Sequence, residues 1–378
     1  MRSTLFDDDH LAYAEVVREF VAREVVPNMA RWDAERLIDR QTWQAAGAQG
    51  LLGLAVPEEH GGAGVTDYRF RTALQYEIAA VGASALQSGF STNDDIVLSY
   101  LLRHADEEQR KRWLLGFTTG ETIGAIAMTE PGAGSDLRGI TASAARTDRG
   151  WVLNGSKTFI TSGILADLVI VFARTDDAFT LFVVEEGTPG FTRGRKLDKV
   201  GLHAQDTAEL FFSDVEVPDA NVLGEVGKGL TYLKQSLPLE RLGIAIAGQA
   251  SAEAALRWTI DYVKERKAFG KRVADLQVPA HTLARLATAV EVSRAYIDQC
   301  VLAFNAGTLT AVDAAKAKAW ATQLQHDVID AGVQLHGGYG YMVEYPIARA
   351  YLDARVQRIY GGTNEVMMEI VQKDLLRA

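Results

Sequence analysis

One stretch of the chain places small residues and hydroxyls where a ligand could approach the backbone closely. Between Ala125 and Gly163 it reads AIAMTEPGAGSDLRGITASAARTDRGWVLNGSKTFITSG, and Pro131, Gly132, Gly134 and Ser135 form a loop with little side chain in front of its amides. The loop follows the strand-like run Ile123 to Met128, and a second polar strand end, Phe159 to Ser162, lies one hairpin further on. A plain surface loop has the same composition, so these residues alone leave a ligand site and a simple turn both open. Further along, Tyr262, Arg266 and Phe269 are spaced to share one helix face. A charged face around a core aromatic is the plain reading of that trio. Arg193, Arg195, Lys196 and Lys199 form a basic cluster, either a solvated strand end or a local patch for an anionic ligand.

Other chemistries are excluded by pattern. The glycine-rich strings GGAGVTD at Gly61 and HGGYG at His336 do not follow a strand that opens a βαβ unit, so neither is a dinucleotide fingerprint. The seven histidines lack metal-ligand spacing, and no nucleophile elbow or phosphate-cradling lysine loop occurs, so no metal is expected. A net charge of -10 disfavours nucleic acid, whose phosphates need a basic surface. The single cysteine, Cys300, excludes an intrachain disulfide, fits a reducing compartment and reads as a buried inert thiol. MRSTLFDDDH lacks a basic region followed by an apolar run, and Leu242 to Trp258 is interrupted by Gln249, Ser251 and Glu253. Neither a secretory signal nor a membrane span is expected, and the location read from this is cytoplasmic.

The elements that must carry these residues change period twice. Asp7 to Asp9 precede a helical pattern at Leu11, Val16, Val17, Phe20 and Val21, closed by Pro27; helical periodicity then resumes to about Phe117, broken near Gln49 to Gly53 and Pro57 to Gly64. From Ile123 to Val217 the period is that of strands, as in DLVIVFA, FTLFVVEE and ELFFSDVEV, with turns expected at Asp148-Arg149-Gly150, Asn154-Gly155 and Pro189-Gly190. From Gly227 the chain is helical again, with runs to Ala268, from Leu276 to Gly307 and from Thr310 to Leu335, and a closing helix after Thr363. The fold class is therefore α+β: a helical domain over 1–120, a small β-barrel or sandwich over 121–225, and a helical-bundle domain over 226–378. With 378 residues and 48% hydrophobic content, these parts can share one large core.

Taken as strings, MTEPGAGSD followed by NGSKTFITSG closely resembles the flavin-binding signature of the acyl-CoA dehydrogenase family, and the resemblance continues through ERKAFG, QLHGGYGY and YGGTNE. It covers essentially the whole chain, and within the family it is nearest the long-chain type. It implies the family's fold, with a C-terminal four-helix bundle, and FAD as cofactor. Met128, Thr129 and Ser135 are then expected at the flavin ring or the thioester end of the substrate, Phe159 along one ring face and Thr161 near the reactive nitrogen. Many members carry tryptophan in place of Phe159, which keeps an aromatic shield but removes an indole donor. Arg266 and Phe269 are implied to hold the pyrophosphate and adenine end.

Spacing bears on this independently, because Glu240 and Arg266 are 26 positions apart, about 39 Å on one straight helix. One flavin can scarcely meet both ends. The simple resolution, which the resemblance also implies, is that Arg266, Phe269 and Gln277, with Gln334, Gly337 and Gly338, serve a neighbouring subunit's flavin, in a homo-oligomer read as a tetramer made of two dimers.

The implied reaction removes an α-proton and a β-hydride from an acyl thioester, acyl-CoA to trans-2-enoyl-CoA, as in fatty acid β-oxidation, with electrons passing to an electron-transfer flavoprotein. Most members carry the base directly after the tyrosine of the C-terminal motif, but here Tyr360 precedes Gly361, Gly362 and Thr363. A glycine cannot take a proton. A minority of the family carry the base on the long helix, and PLERL at Pro238 to Leu242 resembles the long-chain version, so Glu240 is assigned as the base and Arg241 as the organiser of local hydrogen bonds. Gly361 is implied to donate its amide to the thioester oxygen, with Gly362 beside it and Thr363 and Glu365 on the flavin. The alternatives are a thioester carried on a carrier protein, another flavin chemistry on the same scaffold, and a non-catalytic partner subunit.

Overall fold

The computed structural model describes residues 4–377; Met1 to Ser3, at the start of the segment read as lacking a leader, lie outside the described residues. Seven α-helices come first: α1 (Asp8–Phe20), α2 (Met29–Glu35), α3 (Arg40–Ala48), α4 (Tyr68–Ala80), α5 (Ser84–Ser91), α6 (Ser99–His104) and α7 (Glu107–Thr119). Asp7 caps α1 and Asp106 caps α7, each in a reciprocal box with the residue three positions on, as acidic N-caps do. Helix α1 does not run to Pro27. It loosens into a π turn at Val21–Val25, and the proline sits in the 3-10 turn Val26–Asn28.

The strands follow: β1 (Gly124–Ala127), β2 (Ser143–Thr147), β3 (Gly150–Thr161), β4 (Leu168–Thr175), β5 (Ala178–Glu185), β6 (Phe191–Lys196), β7 (Thr207–Val217) and β8 (Val222–Leu223). They pair in the order β6-β7-β3-β2-β4-β5-β8, with β1 parallel to β4. Only the pair Ser143↔Arg174 joins β2 to β4, so the sheet is two halves hinged at one point. Leu153, Ile160, Val171, Phe182, Phe212 and Val215 form one buried cluster between them, which is the sandwich expected from the sequence.

The turn expected at Asn154-Gly155 is absent, and β3 runs through it. Asn154 exchanges hydrogen bonds with Asp214 of β7, donating from Nδ2 at 3.1 Å and accepting the Asp214 amide at 2.8 Å. Gly155 is there because a Cβ would stand 2.6 Å from Cβ of Ala142. The irregularity falls on β7 instead, where Asp214 adopts φ +51°.

The last third holds α8 (Gly229–Glu265), the short hairpin β9 (Lys267–Ala268) and β10 (Lys271–Arg272), then α9 (Gln277–Asn305), α10 (Ala311–His336), α11 (Pro346–Ala354) and α12 (Asn364–Leu375). Helix α8 packs on α9 and α10, and α12 lies along α10. Small residues permit the close approach of α8 and α10: Ala245, Ala252 and Ala255 on one, Ala314, Ala317 and Ala321 on the other, are all fully buried. Arg266 and Phe269 do not share the face of a helix. Helix α8 stops at Glu265, Arg266 is extended, and Phe269 sits in the hairpin turn at φ +54°. A helix would require right-handed backbone at both Phe269 and Gly270, and Gly270 too is left-handed, at φ +76°.

Candidate active site

A cavity of about 290 Å³ lies where the three parts meet. The β domain contributes Met128, Thr129, Ser135, Phe159 and Thr161; α8 contributes Glu240, Arg241, Gly243 and Ile244; the C-terminal loop contributes Gly361 and Gly362. Helix α5 and the π segment that follows it add Ser91, Thr92 and Ile96. Segments far apart in sequence thus converge on one volume.

Two buried charges fix the β-domain wall. Lys157 of β3 donates from Nζ to Glu130 Oε1 at 2.9 Å and to the carbonyl of Met128 at 3.1 Å. Glu130 also accepts from the Thr141 amide, the Thr141 hydroxyl and the Ala142 amide at 2.7, 2.8 and 3.0 Å. Every lone pair direction of this carboxylate is used, as burial of a charge demands. Burial alone would raise the Glu130 carboxyl, but Lys157 and the Thr141 and Ala142 donors bring it below the usual range. The backbone joins in, with the Thr158 amide donating to the Thr129 carbonyl at 2.9 Å. The loop and the strand end seen in the sequence are therefore bolted together.

At Phe159 the chain adopts φ +59°, because β3 carries one residue more than β7 between the pairs Lys157↔Leu210 and Ile160↔Ala208. A left-handed aromatic is costly and persists where surrounding structure imposes it. Here it leaves a large ring 68% exposed on the rim of the cavity.

Among the described residues Glu240 is the only carboxylate lining the cavity, and it is buried. The hydroxyl of Tyr100, on α6, donates to its Oε1 at 3.1 Å. Burial pushes the Glu240 carboxyl up to about 7, against the opposing effects of the Tyr100 hydrogen bond and the Arg241 and Arg103 charges. Pro238 lies inside α8 two residues earlier without ending the helix. Arg241 does not pair with Glu240; its Nε donates to the carbonyl of Gly361 at 3.3 Å. Thr363 caps α12, accepting the Val366 amide at 3.3 Å, and Glu365 is exposed in that helix's first turn.

A second group of expected site residues gathers elsewhere. Tyr262 donates its hydroxyl to the His336 carbonyl at 3.1 Å and stacks on the His336 ring at 4.1 Å. The Arg266 guanidinium lies over the Tyr339 ring at 5.6 Å, next to Gly337 and Gly338 on the turn that ends α10. Phe269 is 92% exposed, and Gln277 opens α9. Gln334 lies in the last turn of α10. None of these seven expected residues, Tyr262 included, borders the Glu240 cavity. Helix α8 is unbroken between Glu240 and Glu265, so one chain holds the two groups apart.

These residues fit a long, partly anionic cofactor served from both groups. The cavity rim offers an exposed aromatic face and hydroxyls, and the second group offers a guanidinium beside Gly337 and Gly338, where a Cβ would meet nothing within 4 Å. Three of the four residues of the basic cluster are spent on the protein: Arg193 bonds the Gly163 and Ala166 carbonyls, Lys196 that of Glu35 and Lys199 that of Gln205, while Arg195 is exposed. Cys300 is buried, its thiol pushed up to about 11 by burial. Among the described residues no cluster of His, Cys, Asp or Glu could hold a metal ion, and no helix is long and apolar enough to cross a membrane.

Family models for the acyl-CoA dehydrogenase N-terminal, middle and C-terminal domains match residues 7–121, 125–215 and 227–376 in order. The chain belongs to the acyl-CoA dehydrogenase family. Among curated relatives, the mitochondrial long-chain specific acyl-CoA dehydrogenase of Sus scrofa is 48% identical over 98% of this chain and 87% of that protein. The crystal structure of acyl-CoA dehydrogenase from Geobacillus kaustophilus superposes over the full length of both chains with a TM-score of 0.97 at 43% identity. An acyl-CoA dehydrogenase from Bacillus anthracis, complexed with FAD, covers 98% of this chain and 67% of its own with a TM-score of 0.93 at 30% identity.

Four residues that shape this acyl-CoA dehydrogenase site were missed in the sequence: Glu130, Lys157, Tyr100 and Lys318. The first two lie inside the very motifs that were read, one acid and one base in paired segments. Tyr100 has no spacing signal. Lys318 had one: in AAKAKAWA, Lys316 and Lys318 are two apart on a helix and cannot both face water.

Proposed function

We propose that this protein is an FAD-dependent acyl-CoA dehydrogenase that converts an acyl-CoA to its trans-2-enoyl-CoA, with Glu240 as the α-proton base. The observation that carries the assignment of the base is a single buried carboxylate, raised to about 7, facing a cavity built from Met128, Thr129, Ser135, Phe159 and Thr161 on one side and Gly361 and Gly362 on the other. FAD, when bound, supplies the two-electron acceptor for the β-hydride. Glu240 takes the α-proton onto its carboxylate; the α C–H electron pair stays behind as the 2,3-double bond, and the β-hydrogen leaves with its own pair as hydride. The Gly361 amide receives the thioester oxygen, Arg241 holds that loop by its carbonyl, and Phe159 shields the cavity rim from water.

Arg266, Phe269, Gln277, Gln334, Gly337 and Gly338 hold the far end of FAD bound mainly by a neighbouring subunit; the unbroken helix between Glu240 and Arg266 supports this reading. Large exposed apolar side chains on the C-terminal domain, among them Phe269, Val278, Trp320 and Tyr341, are consistent with a homo-oligomer, read as a homotetramer. The long-chain name of the Sus scrofa relative supports a long-chain substrate; a place in fatty acid β-oxidation, an electron-transfer flavoprotein as acceptor and a cytoplasmic location belong to the same proposal. Anaerobic titration with acyl-CoA esters of increasing chain length tests the assignment: the flavin should bleach with the preferred ester. A colourless protein that cannot be reconstituted with FAD, or a yellow one that no ester bleaches, would overturn it.

A further inference from the structure

Lys318, in the middle of α10, is among the largest fully buried side chains of the protein, yet it forms no ion pair among the described residues. Its Nζ donates to the carbonyl of Gly362 at 2.8 Å and to Oδ1 of Asn364 at 2.9 Å. Asn364 is itself held, donating from Nδ2 to Thr322 Oγ1 at 3.1 Å and to the Ala319 carbonyl at 3.3 Å. One residue earlier, Arg241 donates to the carbonyl of Gly361. Two consecutive glycine carbonyls are thus each taken by a cation. The glycines are both left-handed, at φ +63° and +88°. Left alone, a pair of glycines is the part of a loop that costs least to rearrange.

We propose that Lys318 is a positioning residue for thioester activation: with Arg241 it locks the Gly361-Gly362 backbone, so that the Gly361 amide stands ready for the thioester oxygen. The proposal rests on the acyl-CoA dehydrogenase reading of the cavity. A buried ammonium solvated by neutral oxygens also leaves positive charge behind the loop, where negative charge gathers on the thioester oxygen as the α-proton departs. Burial pulls the ammonium down to about 8, so it still carries charge at neutral pH. The plain alternative is that Lys318 only fills space and ties the start of α12 to α10.

Lys318→Met separates the two, because methionine keeps the volume and removes the charge and its donors. In the FAD-loaded variant the substrate-saturated rate of flavin reduction should fall about 10- to 100-fold, somewhat less than the loss of a direct oxyanion donor, while acyl-CoA affinity changes little. The infrared carbonyl band of a bound, unreactive acyl-CoA analogue labelled at the thioester carbon should move toward its position in free solution. A wild-type rate and an unmoved band in the folded variant would reduce Lys318 to packing. Should Lys318→Met not fold, Lys318→Ala with added propylammonium gives the second route. Recovery with propylammonium but not with propanol supports the proposal, and equal recovery with both, or none with either, overturns it. Wild-type protein that no acyl-CoA reduces would instead sink the underlying functional reading, so the two failures are distinguishable.

Discussion

The Tyr100 hydroxyl donates to Oε1 of Glu240 across 3.1 Å, joining α6 of the N-terminal domain to α8 of the C-terminal domain between two buried side chains. That bond favours the ionised carboxylate, whereas burial opposes it, and the balance leaves Glu240 near 7. Under the proposed assignment of Glu240 as the base, which must be ionised to accept a proton, flavin reduction should rise with pH through about 7 and level off above. Tyr100→Phe removes the bond that lowers the pKa, so the rise should move to higher pH by about one unit. Stopped-flow flavin reduction across pH 5.5 to about 9 measures both curves; superimposable profiles would show that Tyr100 does not tune the base.

Glu240→Gln keeps the shape of the site and loses the proton acceptor. It should remain yellow and bind acyl-CoA, with flavin reduction slower by about 10²- to 10⁴-fold. Near wild-type reduction would place the base elsewhere.

The base cannot simply be moved to the C-terminal loop. A Cβ on Gly361 would meet Cδ1 of Ile244 at 2.4 Å, and the backbone there is left-handed. In the Glu240→Gln background, Gly361→Glu alone should therefore recover little activity, and Gly361→Glu with Ile244→Ala should recover more. Equal rates in the two variants would remove Ile244 as the obstacle.

Lys157→Met strands Glu130 in the interior, with three donors but no counter-charge. The cost should be near the low end for breaking a buried pair, about 3 kcal/mol. Thermal unfolding and FAD retention read it together, since the same pair holds the Met128 carbonyl beside the cavity. An unchanged melting temperature would mean that the pair contributes no net stability.

Arg266→Ala and Glu240→Gln variants, each impaired alone, should recover part of the activity when their subunits are mixed and exchanged. Some mixed dimers then hold one site with both defects and one with neither. No recovery after demonstrated exchange would place Arg266 and Glu240 of the same chain in one site.

Period and turn residues made most of the architecture legible, since the switch from helical to strand spacing near Ile123 and back near Gly227 reflects burial on one face of each element. What failed was local. Asn154-Gly155 has turn composition, but cross-strand pairing with Asp214 and the close approach of Ala142 kept the strand intact. The Arg266 and Phe269 spacing suited a helix, while the left-handed backbone at Phe269 and Gly270 turned the chain into a hairpin. At the site, motifs located the walls and Glu240, but the groups that hold those walls, Tyr100 and Lys318 among them, are fixed by contacts across more than a hundred and about forty positions respectively.

With the shared site proposed above, the continuity of α8 would tie cofactor affinity to protein concentration. A flavin reached by the Glu240 end of one rod and the Arg266 end of another is fully held only while the two chains stay together. Dilution that separates the subunits should therefore release FAD, and added FAD should in turn draw the subunits together by the same free energy.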